Sequence, residues 1–409
     1  MSLYRKLSCF CAASLTLTLS VTGFSATVNT FPFGGINISA AETGSGAQST
    51  LQYLNRIDYP NNAKNLSDCF NNPTQCTNYF GNFPAGTSKN DSFSGIGMNI
   101  VRLPFRWDYV FNQIPTSTKI NELGTDTVNS NYLKPLAKNI SNLLNTGAIV
   151  ILDAHDYMQW NPNAGAGGGS FGKIVTEDEI SHIWGALVNE LKAQGVDTAN
   201  NHLWFEISNE PNHMSASSAY NLDVAGLKSI RSQGLKNKII VEGTYYSGMW
   251  SWFKDEGQGV NSDAFKGLLA ADKEKNVAVA MHQYFDSDYS GTQANCVDTT
   301  SSVLDQSFFN KLDDWMKENK IDVILDEFGV PGDKDQVSDV CAKDVNSVLN
   351  YMHENTVSYS DKLLTNSSGG HFLGWTVWNY SPVYKNQIED LTPGSKAIDD
   401  IYKKHLPTV

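Results

Sequence analysis

Glu210 and Glu327 are the two residues whose type and setting could do chemistry. One closes an apolar run as Ser208-Asn209-Glu210-Pro211, the other closes a second run as Asp326-Glu327-Phe328-Gly329. A single glutamate is most simply a solvated surface charge. Two at the ends of apolar runs, each among polar and aromatic neighbours, point instead to cleavage of a glycosidic bond. That reaction needs one carboxyl to protonate the leaving oxygen and another to attack the anomeric carbon, or to activate water there.

Metal chemistry is the first rival, because His155 lies beside Asp153 and Asp156. No metal is expected: the chain has no H-x-x-x-H pair, and a second carboxylate already supplies the nucleophile that metal-bound water would provide. No cofactor is implied, and a serine nucleophile is the weaker alternative. His202 and His213 read as structural or surface residues.

Elements at fixed places must bring such residues together. Eight runs rich in β-branched and aromatic residues recur along the chain: 33–39 (FGGINIS), 99–105 (NIVRLPF), 148–157 (AIVILDAHDY), 202–211 (HLWFEISNEP), 238–246 (KIIVEGTYY), 277–286 (VAVAMHQYFD), 322–330 (DVILDEFGV) and 370–381 (GHFLGWTVWNYS). Each begins apolar and ends polar. Such runs suit parallel strands covered on both faces, and helix-length stretches such as 176–194 and 307–319 separate them. Eight repeated units predict an α/β fold, a (β/α)8 TIM barrel, whose strand ends gather the polar residues at one face. In a closed barrel the fourth and seventh strands face each other across the mouth, so their carboxylates can flank one bond. A doubly wound open sheet competes, but no Gly-rich phosphate loop follows the first strand, and the Gly-Ala stretch 165–169 reads as a flexible loop.

The chain has 409 residues, 41% hydrophobic and 18% charged, an ordinary balance for a folded protein with a core. Its net charge is −13 and no run of Lys and Arg exceeds two residues, so nucleic acid is not an expected partner. Aromatic residues make up 11%, and flat rings suit the apolar faces of sugars. Residues 1–26 read as a secretory signal: Arg5 and Lys6, then an uncharged run from Leu7 to Gly23 too short and hydroxyl-rich for a spanning helix. Residues 27–409 then form one catalytic domain, with 40–93 as an irregular insertion. Removing the leader takes Cys9 and Cys11 and leaves Cys69, Cys76, Cys296 and Cys341, an even set that predicts disulfides in an exported protein. Three pairings are open; Cys69 with Cys76, pinning the insertion, and Cys296 with Cys341 is favoured over the others. Sequons at Asn37, Asn65, Asn90, Asn139 and Asn366 matter only where the host glycosylates.

With these residues in place the chain resembles glycoside hydrolase family 5, the cellulase family. The match rests on N-E-P at Asn209 to Pro211, E-F-G at Glu327, VRLP around Arg102, LDAHDY around His155, H-x-Y at His282 and Tyr284, and GWTVWNYS with Trp378. The stretch 281–296, MHQYFDSDYSGTQANC, is similar to the endo-1,4-β-glucanase branch of that family. The resemblance implies a retaining mechanism with Glu210 as general acid/base and Glu327 as nucleophile. It also implies that Arg102, His155, Asn209, His282, Tyr284 and Trp378 support or bind substrate, with Asn209 on the sugar 2-hydroxyl. Arg102 and the Tyr284 hydroxyl would lower the pKa of Glu327, and the charge on Glu327 would raise that of Glu210. Trp107, Trp160, Tyr245, Trp250 and Trp252 follow strand ends and are candidates for flanking subsites, whereas Trp375 packs in the wall.

Leader and resemblance together lead to the expectation of a monomeric endo-β-1,4-glucanase acting on β-glucan polysaccharide or cello-oligosaccharide, secreted to the medium or the periplasm and free of membrane once its leader is cleaved. Asp326 and Phe328 around the nucleophile depart from the fungal-type pattern and leave the branch open. β-Mannan is the neighbouring alternative substrate; a non-catalytic carbohydrate-binding protein is the alternative of another class.

Overall fold

A computed structural model describes residues 30–39, 41–42, 93–161, 172–293, 295–330, 337–380, 391 and 395–407. The expected leader, the Cys69–Cys76 pair with most of the insertion, the sequons at Asn65 and Asn90, and the Gly-Ala stretch lie outside the described residues.

Eight parallel strands close on themselves: β1 (Phe33–Ile38), β2 (Ile100–Phe105), β3 (Ile149–Ala154), β4 (Leu203–Glu206), β5 (Ile239–Glu242), β6 (Val277–Tyr284), β7 (Asp322–Gly329) and β8 (Phe372–Tyr380). Each pairs with its sequence neighbours, and β8 closes on β1 from Phe33↔Gly374 onward. The closure is tight: a Cβ on Gly374, at φ +147, would come within 1.8 Å of Phe33 O, so only glycine fits there. Around the barrel run α1 (Ser130–Asn145), α2 (Glu177–Ala193), α3 (Ala216–Ser232), α4 (Gln306–Asn319) and α5 (Asp339–Glu354). Four of these starts follow side-chain caps: Thr176 and Glu179 form a reciprocal capping box on α2, and Ser215, Asp305 and Ser338 cap α3, α4 and α5. The expected barrel is therefore the observed fold.

Alternation along each strand divides the core. Val101, Leu103, Val150, Leu152, Phe205, Ile239, Val241, Val279, Val323 and Leu325 belong to the large cluster between barrel and helices. Ile100, Ile149, Ile151, Trp204, Ile240, Ala278, Ala280 and Ile324 form a second cluster inside the barrel, closed at the strand starts by Leu363 and Leu364. In β2 to β7, moving two residues on from the last apolar interior position reaches Arg102, Asp153, Glu206, Glu242, His282 and Asp326, all buried. The barrel interior is thus apolar over its lower half and charged over its upper half.

Two details differ from the sequence expectation. First, β4 stops at Glu206, so Asn209 and Glu210 stand beyond it; Glu210 has φ +44, a left-handed value that cannot continue a ladder. Second, β6 and β7 pair Met281↔Leu325 and then His282↔Glu327, skipping Asp326. This bulge turns two consecutive residues, Asp326 and Glu327, toward the barrel mouth.

The expected Cys296–Cys341 disulfide is present and ties the loop after β6 to the start of α5. Among the described residues no helix is long and apolar enough to cross a membrane.

Candidate active site

Arg102 of β2 organises the charged layer. Its Nε and Nη2 grip Glu206 at 2.9 and 2.6 Å, its Nη1 donates to Glu327 Oε2 at 2.7 Å, and its Nη2 donates to Asn209 Oδ1 at 2.7 Å. Asp153 lies 3.0 Å from the same Nη2, with Glu242 at 3.5 Å and Asp326 at 3.7 Å from the guanidinium. Asn37, a sequon residue, is completely buried and spent here: it accepts from Arg102 at 3.1 Å and donates to Asp326 O at 2.8 Å, so it is no glycan acceptor in the folded chain. Asn139 is likewise buried, while Asn366 is exposed.

Burial works against the Arg102 charge, but Asp153, Glu206 and Asp326 outweigh it and hold the guanidinium protonated. Burial also opposes ionisation of Glu206, yet the two-pronged Arg102 contact brings its carboxyl down to about 2. The remaining carboxyls go the other way: burial pushes Asp153 and Glu242 well above their usual range, and burial with the charge on Glu206 lifts Asp326 to about 7. At neutral pH this layer therefore does not hold one full charge per carboxyl.

Glu327 is an exception among the buried acids. Burial would raise its pKa, but His282, Arg102 and His155 overcome that, and the Tyr284 hydroxyl donates to Oε1 at 2.9 Å, so the group sits below the usual glutamate range. Glu210 Oε1 lies 2.8 Å from His282 Nδ1, and Glu327 Oε2 lies 3.9 Å from the same nitrogen. An oxygen of Glu210, a nitrogen of His282 and an oxygen of Glu327 all fall within 4.8 Å of one another. The two glutamates thus face the same mouth of the barrel, with His282 beside both.

The remaining expected residues surround that gap. Asn209 is buried, and because Arg102 takes its Oδ1, its Nδ2 has no hydrogen-bond partner among the described residues and remains available as a donor. His155 Nδ1 is 2.8 Å from Asp153 Oδ2, and burial lowers the pKa of the ring. Its face stacks on Trp378 with centroids 5.6 Å apart and planes at 19°. On the opposite side of the mouth, after β5 and β6, Trp250 packs against Tyr289 at 4.9 Å and Tyr245 at 5.7 Å. All eight expected catalytic and supporting residues come to one end of the barrel.

Some aromatic expectations fail. Trp107 and Trp252 are fully buried, the first opening a short helical turn and donating to Gln159 O at 2.9 Å, the second closing the turn 249–251. Trp160, Tyr245 and Trp250 are partly exposed, and Trp375 is core, donating to His405 O. Glu206 and Glu242 escaped notice in the sequence, although each stands two residues beyond an interior apolar residue, Trp204 or Ile240, and that spacing was the available signal. Glu206, Glu242 and His282 also approach closely enough to share a cation; here the Arg102 guanidinium is the cation among them.

Asp326 carries a pH prediction. A carboxyl raised on folding binds its proton more tightly in the folded state, so its contribution is fully present below the unfolded value near 3.8 and is lost as pH rises through about 7. Urea unfolding at stepped pH should show Asp326→Asn gaining on the parent by at most about 1.4 kcal/mol per pH unit across that window. A difference that stays flat from pH 4 to 7 would contradict the assignment.

The chain is similar to known proteins along most of its length. The family described as Cellulase (glycosyl hydrolase family 5) matches residues 60–381. A protein named probable endo-beta-1,4-glucanase B, from Neosartorya fischeri, is 29% identical over 305 residues, covering 74% of this chain and 76% of that protein. Endo-beta-1,4-glucanase A of Emericella nidulans is 30% identical over 314 residues, covering 75% and 82%. Among solved structures, XacCel5A in complex with cellopentaose superposes with a TM-score of 0.63 at 25% identity, covering 92% of this chain and 99% of that one.

Proposed function

The chain belongs to glycosyl hydrolase family 5, and from that premise we propose that it is an endo-β-1,4-glucanase working by double displacement, with Glu327 as nucleophile and Glu210 as acid/base. The observation that supports the mechanism is that an oxygen of Glu210 and an oxygen of Glu327 lie within 4.8 Å of each other, with His282 Nδ1 between them at 2.8 and 3.9 Å. Retaining glycosidases hold their carboxyls about 5–5.5 Å apart, whereas inverting ones leave about 6.5–9.5 Å for a water.

The environments support the division of roles. Glu327, held ionised by His282, Arg102 and the Tyr284 hydroxyl, attacks the anomeric carbon. Glu210, on the more open side of the pair with its side chain 16% exposed against 8%, gives a proton to the leaving oxygen. Once the glycosyl ester forms, Glu327 is neutral and Glu210 is a carboxylate, which takes a proton from the water that attacks the ester. The free Asn209 Nδ2 is placed to donate to the sugar 2-hydroxyl, and Arg102 fixes that amide by holding its oxygen. Trp378, stacked on His155, offers a flat platform on one side of the cleavage point, and the Trp250–Tyr289 pair does so on the other. Platforms on both sides suit an internal bond of a polymer.

Export with residues 1–26 as a cleaved leader, and 27–409 as the mature domain, complete the proposal. The basic start with its uncharged apolar run supports it, as does the Cys296–Cys341 disulfide, which belongs to an oxidising compartment. The names of the endo-beta-1,4-glucanase relatives and the cellopentaose bound in the similar structure support a β-1,4-glucan and its oligosaccharides as substrate.

The test follows viscosity and reducing ends together on carboxymethyl cellulose, β-mannan and β-1,3-glucan. A fast fall in viscosity on carboxymethyl cellulose alone is expected. Cleavage of mannan alone would keep the mechanism and replace the substrate; binding without cleavage of any of them would replace the enzyme by a carbohydrate-binding protein.

A further inference from the structure

We propose that Glu242 is a positioning residue for Glu210, holding the backbone of that glutamate and, through His282, its carboxyl. The inference rests on the acid/base role given to Glu210 above. Glu242 is the last residue of β5 and is fully buried. Its Oε2 accepts the backbone N–H of Glu210 at 2.8 Å. Its Oε1 lies 3.3 Å from His282 Nε2, and Nδ1 of the same ring lies 2.8 Å from Glu210 Oε1. One carboxyl therefore reaches Glu210 by two routes.

The backbone route answers a need. Glu210 sits at φ +44, where a non-glycine residue costs about 1–3 kcal/mol and persists only if its surroundings fix it. The Glu242 contact fixes the peptide that carries Glu210 into the mouth.

The imidazole route governs a proton. Glu242 Oε1 at 3.3 Å and Asp326 Oδ1 at 3.4 Å both lie beside His282 Nε2, short of hydrogen-bond geometry, and acceptor oxygens at that place favour a hydrogen on this nitrogen. The contact between Nδ1 and Glu210 can then hold one further proton, shared by ring and carboxyl. During cleavage that proton passes through Glu210 to the leaving oxygen, the sugar–oxygen bond breaks, and Glu327 bonds to the anomeric carbon. Glu242 itself exchanges nothing. The other charged groups around it are Arg102 from β2, Glu206 from β4, Asp326 and Glu327 from β7, and Asp223 of α3, which approaches the Glu242 backbone.

Glu242→Gln keeps the volume and leaves an amide oxygen for the Glu210 N–H, but sets an amide N–H against Nε2. That favours a bare Nε2 and puts the ring hydrogen on Nδ1, so the pair holds the transferable proton only at lower pH. On cellotetraose, whose leaving sugar needs a proton, kcat/KM is expected to fall about 10²-fold. On 2,4-dinitrophenyl β-cellobioside, whose phenolate leaves unaided, it should be nearly unchanged, and the alkaline limb on cellotetraose should move to lower pH. Glu242→Asp, which shortens the reach by one methylene, should show the same substrate selectivity with a smaller loss, and urea unfolding checks that both variants fold.

Equal losses on both substrates, an unmoved alkaline limb, or no loss at all would overturn the proposal. Glu210→Gln runs beside them as a control. Selective loss there with uniform loss in Glu242→Gln removes the positioning role alone; uniform loss in Glu210→Gln removes the acid/base assignment, and the positioning role with it.

Discussion

Glu327→Ala is expected to lose cello-oligosaccharide hydrolysis by about 10⁵-fold, because a nucleophile fixed beside the anomeric carbon has an effective molarity of at least about 10⁵ M. Added azide decides its role. In Glu327→Ala, azide fits the space vacated below the sugar and attacks 2,4-dinitrophenyl β-cellobioside directly, giving the α-glycosyl azide. In Glu210→Ala the covalent intermediate still forms from that activated substrate, and azide opens it from the other face, giving the β-glycosyl azide. The anomeric proton coupling of each product distinguishes the two. A β-azide from Glu327→Ala would exchange the roles of the two glutamates. In the parent protein the acid limb of kcat/KM should lie below the ordinary glutamate value of about 4.3, since His282 and Arg102 hold Glu327 ionised despite its burial.

Arg102→Met is expected to destabilise the fold by about 3–5 kcal/mol as well as to abolish activity, because it leaves buried carboxylates without their cation. Asp153, Glu206 and Glu327 all lie within 3.0 Å of that guanidinium. The sign of the pH dependence separates this loss from simple packing damage. In the parent, Glu206 is depressed to about 2, so its contribution is present above the unfolded value near 4.5 and is lost as pH falls toward 2. In the variant the same carboxyl is raised by burial alone, so stability declines as pH rises above its unfolded value. The gap between parent and variant should therefore be small near pH 3 and wide at pH 7. Guanidinium chloride midpoints at the two pH values measure it, and equal gaps would mean that Arg102 acts by volume rather than by charge. Arg102→Lys should recover part of the stability but little activity, since an ammonium cannot hold Glu206, Asn209 and Glu327 at once.

The strands were legible because parallel strands covered on both faces write themselves as near-continuous apolar runs, as at 148–154 and 277–281. Glu210 and Glu327 were legible because a charged group directly after such a run has few structural uses. What stayed hidden depended on side-chain direction. Glu206 and Glu242 lie inside runs that read as apolar, and only the inward alternation from Trp204 and Ile240 marks them as part of the site. Trp107 and Trp252 follow strand ends just as Trp250 does, yet local helical turns bury the first two and leave the third half open. Asn37 carried a glycosylation signal, but its neighbours in space, Arg102 and Asp326, are 65 and 289 residues away in sequence.

The irregular pairing between β6 and β7 bears on protein design. A transplant of Asp-Glu-Phe-Gly onto a regular strand of another barrel would present one acid to the lumen and the other to the surrounding helices, since neighbours on an even strand face opposite ways. Both acids can serve one pocket only if the recipient also reproduces the skipped partner opposite Asp326. The portable unit is thus the strand pair with its offset, and the four-letter motif taken alone would carry half of a site.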